Sequence, residues 1–401
     1  MKDSKKLDLA RFDEAVPICR KLVSVQSYSG KEDGVVATLK VLFAALPCDE
    51  IHVDEYGSIV ATIKGDKPGP KVLFDAHIDT VPVEDESAWY FPPFGGVIDS
   101  GRIYGRGTSD MKGALAAMIA AARQFTNELG KHFGGEINIA GVVHEECFEG
   151  VAARKISERV KPDYVIIGEA SELNLKCGQR GRAEIVAETF GKSAHSANPE
   201  KGVNAVYKMA KLIEKIQALP CSEHPVLGKG ILELTDIKSS PYPGASVVPD
   251  YCRATFDRRL LVGETPESVL APLRNLVGEL AGEDSDFHAE VSFAQGKEAC
   301  YTGAEIGDRR FFPAWLYNRE DPFVQDVFQS LRGYGLDPVI TQYSFCTNGS
   351  HYAGEAGIKT VGFGPSPENL AHIVDEYVEI DQLRGAALGY YAIMDTLLAQ
   401  S

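Results

Sequence analysis

No stretch of this 401-residue sequence is apolar over the roughly 20 residues that a membrane-spanning helix needs. Positive charge is scarce: 41 Lys and Arg stand against 57 Asp and Glu, a formal net charge of −16. That balance argues against a nucleic-acid or anionic-membrane surface. The eight cysteines include no CxxC pair and read as reduced thiols. The opening MKDSKKLDLARFDEAV is basic at first but lacks the apolar centre of a secretory signal. Together these absences lead to the expectation of a cytoplasmic protein that binds neither nucleic acid nor membrane. What remains is a chain long enough for two or three domains with ample core.

The chain is organised around the stretch from Lys71 to Gly113. An apolar run, Val72-Leu73-Phe74, leads into His77-x-Asp79, and Asp110 stands directly ahead of an alanine-rich segment. A histidine just past a strand and a carboxylate at a helix start lie where an open α/β sheet collects its ligands. Between them, Trp89 to Gly96 forms an aromatic, proline-stiffened loop suited equally to walling a pocket and to plain packing.

Around this stretch, apolar spacing predicts a helix over 8–24, kinked or broken at Pro17, and a second over 32–46. Short strands are predicted at 51–53 and 58–63. A helix over 111–128 is predicted with Asp110 as its cap, a role that would by itself account for this aspartate. A strand at 136–143 runs into His144-Glu145-Glu146, a helix follows at 150–160, and a strand at 163–168 leads to Glu169. Strand and helix in alternation predict an α/β fold, a mostly parallel, doubly wound sheet with helices on both faces. Residues 182–295 read instead as strand, helix, strand, strand, helix, strand, an inserted ferredoxin-like α+β domain. The expected organisation is therefore one domain from 1–181 and 296–401, interrupted by an inserted domain at 182–295. A linker is expected at 296–320 and a closing helix at 380–399.

His77, Asp110, Glu146, Glu169 and His372 each follow a predicted strand or open a helix, so all can converge on one rim of one sheet. A mixed imidazole and carboxylate set suits zinc, with cobalt or manganese as alternatives. Asp110 placed between two ions would bridge them, with His77 and Glu169 on one and Glu146 and His372 on the other. Two divalent ions roughly 3.5–4 Å apart generate a hydroxide at neutral pH and polarise a carbonyl. Asp79, too close to His77 to be an independent ligand, is expected to fix the imidazole tautomer. Glu145 is left to carry the proton as general acid and base. Adjacent glutamates often mean only a solvated surface; here they end an apolar strand, where something must neutralise them.

The segments HIDTVP, GRGTSDMKG, HEE and GEAS, Gly191-Lys192-Ser193-Ala194-His195 with Asn204-Ala205, and the late His372 resemble the co-catalytic zinc metallopeptidase and aminoacylase family. That family includes acetylornithine deacetylase, succinyl-diaminopimelate desuccinylase and glutamate carboxypeptidase. Phe311-Phe312-Pro313-Ala314-Trp315, Phe345 to Gly349 and Gly362 to Pro365 are similar to YgeY-type hydrolases within it. The resemblance covers nearly the whole chain and implies the same five metal ligands, with Glu145 as acid and base. It also implies that His195 reaches a partner's active site in a homodimer formed through the 182–295 domain and steadies the oxyanion there. Read alone, His195 is a histidine in a polar loop. Arg180 and Arg259 match positions that bind a substrate carboxylate, and Thr347 and Asn348 match a loop lining the pocket. The implied activity is metal-dependent hydrolysis of an amide in an N-acyl amino acid or small peptide bearing a carboxylate. A ureido or carbamoyl amidohydrolase and a non-catalytic protein of the same fold are the alternatives.

Overall fold

The apolar runs pair into one nine-stranded sheet in the computed structural model, which describes residues 7–399. The first part of the chain supplies β1 (Glu50–Val53), β2 (Ile59–Lys64), β3 (Lys67–His77), β4 (Gly134–Val142), β5 (Tyr164–Ile167) and β6 (Leu175–Gln179). The insert supplies β7 (Gly181–Phe190), β8 (Ile231–Ser240), β9 (Tyr251–Leu260) and β10 (His288–Phe293). The last part adds β11 (Trp315–Leu316), β12 (Ile340–Tyr343) and β13 (Lys359–Gly362). The large sheet runs β1-β2-β4-β3-β5-β13-β6-β11, with β12 beside β6. Its centre, β4-β3-β5-β13, is parallel, whereas β1, β2 and β11 join antiparallel at the edges. A parallel centre aims several chain ends at one rim, and this is what builds the site.

Side chains of β3 alternate between two packed layers. Phe74 meets the Tyr390 ring of the closing helix edge-on, with centroids 5.8 Å apart. One residue later, on the opposite face, Asp75 accepts the Tyr352 hydroxyl at 2.8 Å. Eight helices are described: α1 (Ala15–Val23), α2 (Asp33–Ala44), α3 (Gly113–Leu129), α4 (Val151–Val160), α5 (Ala205–Gln217), α6 (Pro266–Glu283), α7 (Pro322–Gly333) and α8 (Ile380–Leu398). The alanines of α3 are buried almost throughout, since small side chains let the helix lie close to its neighbours. No helix among the described residues is long and apolar enough to cross a membrane.

Three expectations need correction. The predicted helix over 8–24 is a 3-10 turn, Leu9–Phe12, followed by α1. The break falls before Ala15, and Pro17 sits in the first turn of α1, where its missing N–H costs little. The predicted linker over 296–320 is structured: Gln295–Ala299 pairs with Glu305–Arg309, Phe311–Phe312 adds to β7, and β11 joins the large sheet. Strands this short carry too few alternations to be read from a sequence. The helix predicted to start at Met111 begins at Gly113.

The insert follows its predicted order. Its sheet runs β8-β9-β7-β10, all antiparallel, with α5 and α6 closing over a core of its own that includes Ile185, Met209, Leu212, Phe256 and Leu273.

Candidate metal centre

The carboxyl ends of β3, β4, β5 and β13 share one edge of the sheet, and each delivers part of the site. β3 ends on His77; Glu145 and Glu146 follow β4; Glu169 follows β5; His372 lies in the loop beyond β13. Asp110 comes from the segment ahead of α3. Its two oxygens face two histidines: Oδ1 lies 2.7 Å from His77 Nε2 and Oδ2 lies 3.0 Å from His372 Nε2. Glu169 Oε1 is 3.5 Å from His77 Nε2, and Glu146 Oε2 is 3.0 Å from His372 Nε2. The five residues picked from the sequence are thus brought together, with Asp110 in the middle.

Asp110 does this because it is not the cap of α3, a position that Lys112 takes. Its backbone is non-helical (φ −126°, ψ 91°). The main-chain N–H groups of Ser109 and Asp110 donate instead to Glu376 Oε1, at 2.8 and 3.1 Å. Glu376 is fully buried and pairs through Oε2 with Arg106 Nη1 at 2.7 Å. Its neighbour Asp375 accepts the N–H of Tyr90 at 2.8 Å, which pins the aromatic loop to the His372 loop. Sequence reasoning missed Glu376 and Arg106; the only hint was an acidic pair, Asp375-Glu376, where no helix or strand was expected. His144 and His372 both adopt left-handed backbone (φ 56° and 64°), a conformation that costs a side-chain-bearing residue on the order of 1 kcal/mol. Such costs gather where a site dictates the chain path.

Asp79 does more than expected, and by a different route. The closest acceptor to His77 Nδ1 is the Asp79 main-chain carbonyl at 2.9 Å, while the carboxylate lies 3.6 Å away. The carboxylate instead holds the turn after β4. Oδ1 accepts the N–H of Glu145 at 3.0 Å, and Oδ2 accepts the N–H of Glu146 at 3.2 Å and the Ser29 hydroxyl at 2.7 Å.

The electrostatics are those of a cation site. Burial, reinforced by neighbouring carboxylates, pushes Glu145 and Glu169 well above the usual carboxylate range and raises Glu146. Burial would lower His77, but Asp110 beside it outweighs that and draws the imidazole well up. His372 is drawn up to about 10 by its hydrogen bonds to Asp110 and Glu146. One buried oxygen of Glu145 has no hydrogen-bond partner. Carboxylates crowded out of water cost several kcal/mol each unless cations offset them. Two sets, His77-Asp110-Glu146 and His77-Glu145-Glu169, each present ligand atoms within 4.8 Å of one another. Imidazole and carboxylate donors at this spacing fit divalent metal ions. By distance Glu145 stands with His77 and Glu169 in the second of these sets.

A cavity of about 480 Å³ opens over these groups, lined also by Glu149, Arg182, Arg259, Phe345, Cys346 and Glu368. A larger cleft, about 650 Å³, lies on the insert around Tyr207 and Lys208, away from the ligand set. Of the residues predicted to bind substrate, Arg259 lines the cavity. Arg180 does not: its Nε donates to the Leu227 carbonyl at 2.7 Å. Thr347 and Asn348 also lie outside the lining, buried beneath it. Thr347 donates to Gln179 Oε1 at 2.6 Å, and Asn348 donates to Asp75 at 3.0 Å and accepts the Gly150 N–H at 2.9 Å. Their chain neighbours Phe345 and Cys346 face the cavity instead. His195 is exposed on the insert, its Nδ1 accepting the N–H of Ala197 at 3.0 Å, and does not reach the cavity of its own chain. Arg182 was missed. It lies directly opposite Arg259 in the β7/β9 register, and Asp257 holds both, with Oδ2 3.1 Å from Arg182 Nε and Oδ1 2.8 Å from Arg259 Nε.

Residues 73–396 match the family described as Peptidase family M20/M25/M40. The chain is 32% identical to the uncharacterized protein YgeY of Escherichia coli (strain K12) over 98% of this chain and 95% of that protein. It is 29% identical to a succinyl-diaminopimelate desuccinylase of Methylobacterium radiotolerans, over 82% of this chain and 81% of the relative. Among solved structures, aminopeptidase PepT from Bacillus cereus superposes with a TM-score of 0.75 at 22% identity, covering 96% of this chain and 98% of that one. The fold is therefore shared over nearly the full length.

Proposed function

The chain belongs to peptidase family M20/M25/M40 and is a metal-dependent hydrolase of amide or peptide bonds, and from that premise we propose how its residues divide the work. The observation that carries the reading is the single carboxylate of Asp110 facing His77 with one oxygen and His372 with the other. His77, Asp110 and Glu169 would hold one divalent ion, and Asp110, Glu146 and His372 a second, with zinc favoured by the nitrogen and oxygen donors. Such a pair, when bound, activates water at neutral pH and polarises a carbonyl.

Glu145 takes the proton from the attacking water and returns it to the leaving amine. Its burial holds the carboxyl at a raised affinity for protons, as that double task requires. Asp79 fixes the turn that carries Glu145, so the proton carrier cannot swing away. Arg259 receives the substrate carboxylate through its fork of donors.

His195 contributes from a second copy of the chain. The support is that it stands exposed on the insert and does not line the cavity of its own chain, while β8 is an exposed edge of the insert's sheet. The insert would then serve both as lid and as dimer contact. A reducing cytoplasm is the compartment that suits eight cysteines, all free.

The reading is tested by a hydrolysis screen of N-acetyl, N-succinyl, N-carbamoyl and dipeptide substrates, with zinc, cobalt or manganese added after chelation. Metal-restored cleavage of an N-acyl amino acid or dipeptide is expected. Cleavage confined to the N-carbamoyl compounds would overturn the substrate class, and a chain that gel filtration shows to be a monomer would remove the role given to His195.

A further inference from the structure

We propose that Glu149 forms a seat for a protonated amine in the substrate cavity, beside the carboxylate seat at Arg259, so that together they select an unblocked α-amino-acid group. This inference rests on the reading above of the site as an amide hydrolase.

Glu149 lines the cavity four residues beyond Glu145 and is only 8% exposed. One of its oxygens, Oε1, is 3.0 Å from Arg182 Nη1. The other, Oε2, is buried and has no hydrogen-bond partner. A carboxylate oxygen withdrawn from water with no donor to accept from is destabilising. Glu368, on the same cavity, has Lys176 and Ser344 as partners, at 2.8 and 2.7 Å, whereas this oxygen of Glu149 has none. Glu149 Oε2 therefore calls for a donor brought in by the ligand.

The opposite charge is held on the same wall. Arg259 spends its Nε on Asp257, and its two terminal nitrogens have no protein partner among the described residues. Arg182 joins the two seats: it pairs with Glu149, shares Asp257 with Arg259, and stands directly opposite Arg259 across the β7/β9 ladder. Two arginines in that register would repel; Asp257 and Glu149 offset them, and the four side chains sum to zero charge. A neutral cluster with one free acceptor and one free donor fork complements a zwitterion, not a dianion. The substrate class that follows carries a free α-ammonium and α-carboxylate, with the scissile amide formed on another amine.

The test compares norleucine with hexanoate, which differ only in the α-ammonium, by calorimetric titration of the metal-loaded protein and its Glu149→Gln and Glu149→Asp variants. Norleucine is expected to bind at least about tenfold more tightly than hexanoate to the native chain. That gap should vanish in Glu149→Gln, with hexanoate affinity unchanged, and survive in part in Glu149→Asp. Equal binding of the two ligands, or no binding of norleucine, overturns the proposal. So does a gap that persists in Glu149→Gln, which is what chelation of the metals by the amino acid would give. Binding needs no turnover, so a chain that hydrolysed no amide would sink the catalytic reading and leave this result standing apart from it.

Discussion

Glu376 accepts the main-chain N–H of Asp110 at 3.1 Å, although 266 residues separate them in the chain. That bond and its companion to Ser109 turn the backbone out of the helix and aim Asp110 between two histidines. The placement of Asp110 is thus set from behind, through its main chain.

Replacing Glu376 by Ala strands Arg106 in the interior and leaves two N–H groups without an acceptor. Loss of about 3–5 kcal/mol is expected in chemical denaturation, together with reduced metal retention on dialysis. A variant as stable and as metal-rich as the native chain would show that Asp110 is placed by other means.

Asn348 tests the correction to the sequence reading. Its amide ties Asp75 on β3 to the Gly150 turn. Asn348→Ala is expected to lower stability by about 1–3 kcal/mol for each orphaned group while leaving the ratio of kcat/KM between two substrates unchanged. A shift in that ratio without a stability loss would restore Asn348 to the substrate pocket.

Away from the site, Glu355 is held down to about 2: burial would raise it, but hydrogen bonds from His351 and Arg154 outweigh burial. A depressed carboxyl lends stability above its unfolded value, 4.5, and that stability is lost as pH falls toward about 2. Glu355→Gln should therefore cost about 1 kcal/mol near neutrality, after allowance for its partial exposure. The gap to the native chain should close as pH drops through that window. A gap that stayed constant with pH would mean packing, not charge, is at work.

Glu145→Gln removes the proposed proton carrier while keeping the side chain's size. A fall in kcat of about 10²–10⁴ is expected, with metal content retained. Turnover near the native rate would reassign the acid-base role.

The alternation of strand and helix made the α/β class and the inserted βαββαβ unit legible, because long apolar periodicities survive in a single sequence. The convergence of the candidate ligands was legible for a related reason: His77, Glu146, Glu169 and His372 each close or follow such a run. What stayed hidden depends on pairings across the fold. Nothing around Asp110 announces that Glu376 will replace its helical hydrogen bonds. Arg180 and Arg182 look alike in sequence, and only the β7/β9 register turns Arg182 toward the cavity and leaves Arg180 on Leu227. Thr347 and Asn348 were assigned by motif, yet polar side chains beside a site can equally be the bolts beneath it.

The shared carboxylate is tested most directly by counting metal ions per chain, by elemental analysis, in the native protein and in His372→Ala. Two ions in the native chain and one in the variant are expected, because His77, Asp110 and Glu169 remain to hold the first. Two ions in both proteins, or fewer than two in the native chain, would contradict an Asp110 that serves two cations at once.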